Sequence, residues 1–136
     1  MRLLQIVGAL ALTGALLSGC GGVNSPSNNS TETFNGTVTS QTGATEPAIT
    51  HLFSVGRTGE MSVRLTAIAP NQATLIGLAL GEQIGGGCAA FNRNDFSGLN
   101  RDVFITPIQR GNFCIQVFNG GGVTVPTTYT LQVNHP

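Results

Sequence analysis

Tryptophan and lysine are both missing from this sequence, and tyrosine occurs once. Charge is scarce, with six arginines against six acids in 136 residues and a formal net charge of zero. Nucleic-acid binding rests on clustered Lys and Arg that neutralise phosphates, and the sequence has no such cluster. The missing Trp also counts against a flat stacking platform for sugar rings. Past residue 19 no ten-residue stretch carries helical periodicity. What is plentiful is glycine, at 19 residues, together with Val, Ile and Thr. That composition favours an all-β domain with many turns.

The usual catalytic patterns are also missing. No Gly-x-Ser-x-Gly elbow is present, and Gly85-Gly86-Gly87 leads into a cysteine rather than a helix that could hold phosphate. The acids stand singly at Glu32, Glu46, Glu60, Glu82, Asp95 and Asp102, so no carboxylate pair is evident. Only His51 and His135 could act as imidazole bases. His135 is next to last, where fraying is expected, and His51 reads as a surface or edge residue near the start of a strand. Two cysteines with those distant histidines lack zinc-finger spacing, so neither a metal nor another cofactor is expected. The expectation is a non-catalytic protein.

The N-terminus carries an address. Arg2 is followed by the apolar run Leu3-Leu4-Gln5-Ile6-Val7-Gly8-Ala9-Leu10-Ala11-Leu12, then by small residues. This matches a secretory signal and is too short for a permanent span, which needs about 20 apolar residues. It ends in Leu17-Ser18-Gly19-Cys20, which resembles the lipobox of bacterial lipoproteins. The resemblance implies that residues 1–19 are a signal peptide and that Cys20 is lipidated. The protein would then be held in the bacterial cell envelope by a lipid anchor in the membrane. Gly21 is not the aspartate associated with inner-membrane retention, so the family rule points to the outer membrane if the cell is Gram-negative. Residues 20–33 are then the lipidated cysteine and a flexible Ser/Asn/Thr-rich linker. About 13 such residues span roughly 20 Å root-mean-square.

Residues 34–136 form the expected folded domain. Phe34, Gly36 and Val38 alternate with polar neighbours, and His51 to Val55 is a second short candidate. Met61, Val63, Leu65 and Ala67 alternate cleanly. Ala73 to Leu80 is nearly all apolar, as a central strand buried on both faces would be. A long Asn/Gly/Arg loop follows to Arg101, then extended patterns at Val103 to Ile108, Asn112 to Asn119 and Thr127 to Val133. Seven or eight short strands with these spacings predict an antiparallel β-sandwich. With Cys20 lipidated, Cys88 and Cys114 remain as an even pair, and in an exported domain that pair predicts a disulfide.

Gly111-Asn112-Phe113-Cys114-Ile115-Gln116-Val117-Phe118, a glycine-rich turn, and Tyr129-Thr130-Leu131-Gln132-Val133 carry a second resemblance. Together with Phe53-Ser54-Val55 and Gly59-Glu60-Met61-Ser62-Val63-Arg64-Leu65, they resemble the bacterial pre-peptidase C-terminal domain. That family implies a jelly-roll-like sandwich, usually attached to exported enzymes. Here the domain stands without a catalytic partner in the chain, and the acids that bind calcium in some relatives have no counterpart.

The best binding candidate is the loop Phe91, Asn92, Arg93, Asn94, Asp95 and Phe96, where two aromatics flank amides and charges. The competing expectation is that Phe91 and Phe96 tuck into the core while residues 92–95 form a solvated turn, with Asp95 paired to Arg93 or Arg101. The partner expected is an envelope protein, with a glycan as the alternative and attachment to an exported hydrolase as a further one.

Overall fold

Apolar and polar residues alternate along most of the domain, and each such run becomes a strand with one face turned inward. The computed structural model describes residues 28–40 and 48–136. Its elements are β1 (Ser30–Val38), β2 (Ile49–Val55), β3 (Gly59–Ala69), β4 (Ile76–Ile84), β5 (Gly87–Ser97), β6 (Asp102–Ile108), β7 (Gly111–Phe118) and β8 (Thr127–His135). The leader, the lipobox through Cys20 and the first part of the linker lie outside the described residues.

Two antiparallel sheets of four strands result, ordered β1-β8-β3-β6 and β2-β7-β4-β5. The chain passes back and forth between them, and of these strands only β4 and β5 are sequential neighbours. This is the eight-strand order of a jelly roll, two Greek keys wound into a sandwich. The inner faces meet through Met61, Val63 and Leu65 of β3 and Leu131 and Val133 of β8. Opposite them lie Ile76, Leu78 and Leu80 of β4 and Ile115 and Val117 of β7. Burying each such side chain is worth about 1.5–3 kcal/mol, so these central strands hold the fold.

Two strand starts and the alternation within β3 differ from the sequence expectation, each for a local reason. β1 begins at Ser30, within the stretch expected to be linker, because β8 runs to His135 and pairs Ser30 to Thr33 along its length. The outward Thr31 and Thr33 give that segment the look of a tether, and Asn134 Nδ2 donates to the Thr31 hydroxyl at 3.0 Å. β4 starts at Ile76 rather than Ala73, because Asn71 closes a turn: its side chain accepts from the Ala73 amide and its carbonyl from the Thr74 amide. In β3 a register shift between Leu65 and Ala67 breaks the alternation, so Ala67 faces out and Ile68 is buried instead. The continuous apolar run of β4 behaves as expected: Ile76 to Gly81 are all buried, in a strand flanked by β7 and β5.

Candidate functional site

The long loop expected after Gly85-Gly86-Gly87 is a strand. Gly85 and Gly86 take positive φ and turn the chain back. The next eleven residues, β5, then pair with β4. The sequence hides this because β5 is a sheet edge and almost none of it is buried, so it has no apolar rhythm. The candidate residues 91–96 therefore sit in the middle of an edge strand. The core placement of the two aromatics is also overturned. Phe91 is 58% exposed and Phe96 59%.

Polar residues on β5 are held by one another. Arg93 Nε donates to Asp95 at 2.5 Å, which selects Arg93 over Arg101 as its partner. The Arg93 guanidinium also lies 4.1 Å from the centre of the Phe118 ring. Asn94 Oδ1 accepts from the Phe96 amide at 2.9 Å, closing a short side-chain turn beside a register irregularity of the β4–β5 pair.

Cys88 and Cys114 are bonded, with Cα atoms 5.9 Å apart. Cys88 is on β5 and Cys114 on β7, with β4 between them. Strands two places apart in a flat sheet would be separated by roughly 9–10 Å. β5 must therefore fold across β4, and it does so at Gly81, which pairs with Ala90 on one side and Cys114 on the other. Phe118 likewise lies across Gly77, where a Cβ would strike its ring. The outer face of β4 is thus covered by the bridge and by Phe118, which accounts for burial on both of its faces.

β6, the edge of the other sheet, completes the site. A shallow cleft of about 620 Å³ lies between the two edges, lined by residues 92–96 of β5 and Asp102 to Ile105 of β6. Opposite β3, β6 shifts register between its pairs to Met61 and Val63. Within that irregularity Phe104 takes a left-handed backbone, with φ at 56°. The irregularity turns Val103 and Phe104 both inward and throws Ile105 out to 61% exposure. Sequence reasoning misses Phe104 and Ile105 as parts of the site. The only available signal is three consecutive apolar residues, which regular alternation cannot bury together. Asp102, at the cleft's rim, is held below the usual carboxylate range by hydrogen bonds from the Arg64 guanidinium at 2.8 and 2.6 Å.

The two histidines lie elsewhere, in the β1–β2 region. His135 is buried rather than frayed, because β8 is paired to its end. Its Nε2 is 2.9 Å from Glu32, and its ring packs on Phe53. His51 is on the edge strand β2, as expected, but half-buried. It stacks on Phe34 with ring centres 4.8 Å apart and sits 2.7 Å from the Tyr129 hydroxyl. Burial lowers the His51 pKa and raises that of Tyr129.

No family model matches the chain, and no curated protein matches it in sequence. Among solved structures, the crystal structure of the Yersinia pseudotuberculosis-derived mitogen is similar in fold. The TM-score is 0.53 over 79% of this chain and 87% of that one, at 18% identity. At that identity the likeness speaks for the β-fold alone.

Proposed function

We propose that this protein is a non-catalytic, lipid-anchored module of the bacterial envelope that binds another protein through its β5–β6 edge. The observation that carries the reading is the exposure of Phe91, Phe96 and Ile105 on neighbouring edge strands beside the cleft. Aromatic and aliphatic anchors around polar groups are the composition of a protein contact rather than of solvent-facing surface. The partner is an envelope protein, whether an exported hydrolase or a further copy of this chain. Non-catalysis is supported by the lining of the cleft, which holds neither imidazole. The lipobox resemblance supplies the anchor.

Affinity capture from solubilised envelopes tests this reading, using the full chain and its Phe91→Ser/Phe96→Ser variant. Loss of the captured protein in the variant, at unchanged thermal stability, is the expected result. An unchanged set of captured proteins would remove the β5–β6 edge as the contact. Radiolabelled palmitate on Cys20 tests the anchor separately.

One observation favours a glycan as the second reading. The outer face of β1, β8 and β3 carries a shallow hollow of about 480 Å³, lined by Asn35, Thr37, Thr128 and Thr130 among others. These short uncharged groups match sugar hydroxyls. A glycan array that stays blank with folded protein would remove this reading.

A further inference from the structure

Among the described residues, β5 has no strand on its outer side; it is regular from Asn92 to Asn94, between two register irregularities, and such an edge is a template for another short strand. Its charge pattern restricts which strand fits. In an antiparallel pair of identical strands around a two-fold axis, residues facing each other have numbers of constant, even sum, because opposed side chains share a face. Centring the axis on Arg93 would set like charges against each other. Centring it on Asn94 puts Arg93 of one copy opposite Asp95 of the next, and Asp95 opposite Arg93, as the innermost pair beside the axis.

We infer that the partner seated on β5 is a second copy of this chain, paired antiparallel about Asn94. The inference deepens the proposed protein-binding function and rests on it. Arg93 and Asp95 already lie side by side at 2.5 Å and are exposed, and exchange for the partner's charges swings the Arg93 guanidinium off the Phe118 ring. With residues 1–19 removed, five arginines stand against six acids, so overall repulsion between copies is small. Phe91 and Phe96 lose water in the same contact, and the two four-stranded sheets join into one of eight.

Cysteine placed on the axis tests the register. Asn94→Cys in the full chain should give a covalent dimer on mild oxidation in envelopes. Asn92→Cys should not, since its two copies would sit about 13 Å apart, four residues of strand rise. Charge exchange provides a second test that does not depend on Asn94. In detergent, sedimentation should show a dimer that Arg93→Asp or Asp95→Arg each weakens about tenfold, and that the double exchange restores. A monomer at all concentrations, or a double exchange no better than the singles, overturns the inference. If that happens while the Phe91→Ser/Phe96→Ser variant still loses a captured protein, the binding function stands with a different partner. If no protein is captured and no dimer forms, both fail.

Discussion

A Cβ on Gly81 would lie 2.5 Å from the carbonyl oxygen of Ala89. This close approach is where β5 folds over β4, and it lets Cys88 reach Cys114 on the far side. Glycine is needed here for space rather than for a turn. Gly81→Ala should cost about 2–3 kcal/mol, because the obstacle is backbone and cannot rotate away. Urea unfolding measures it. An unchanged midpoint would show that the crossover adapts.

The bridge closes a separation of 26 residues. In the loop-entropy model that is worth about 3.5 kcal/mol, a large share of the stability of a domain this small. Cys88→Ala/Cys114→Ala should therefore lower stability by roughly that amount. Amide exchange should rise first in β5, which is exposed and hydrogen-bonded to β4 alone among the strands, while β3 and β8 stay protected. Uniform exchange across both sheets would contradict this order.

His51 should confer a pH dependence of definite sign. Its pKa in the fold is lowered by burial from 6.5. The unfolded chain therefore takes up a proton near pH 6.5 that the folded chain does not. The contribution is fully present above pH 6.5 and is lost as pH falls toward the folded value. Wild type should lose stability relative to His51→Gln between pH 7 and pH 5. Parallel curves would mean that folding leaves the ring's proton affinity as it is in the unfolded chain.

Phe104 is buried in a backbone conformation that suits glycine. Phe104→Ala should cost about 3–5 kcal/mol through the lost ring. In an ordinary strand glycine would cost a further ~0.5–1 kcal/mol relative to alanine. At this position the left-handed φ cancels that difference, so Phe104→Gly should be at least as stable as Phe104→Ala. Thermal unfolding of the two variants decides it.

Legibility in the sequence follows burial. β3 and β8 each keep one face in the core, and the alternation of their residues marks them as strands, while β7 is marked by apolar residues buried on both faces. β4 is legible as a two-sided apolar run. β5 reads as a loop because an edge strand covered on neither face has no pattern to impose. The N-terminal end of β1 reads as linker for the same reason.

The all-β class and the pairing of Cys88 with Cys114 are written in the chain itself. Period-two hydrophobicity is a local property, and Cys88 and Cys114 are the two cysteines left once Cys20 of the lipobox-like stretch is set aside. The placement of residues 91–96 on an exposed edge beside Ile105 is not written there. Neither is the burial of His135 against Glu32, nor the crossing of β4 by the bridge at Gly81. Each of these depends on which strands become neighbours, and that is settled by packing two sheets together rather than by any segment alone.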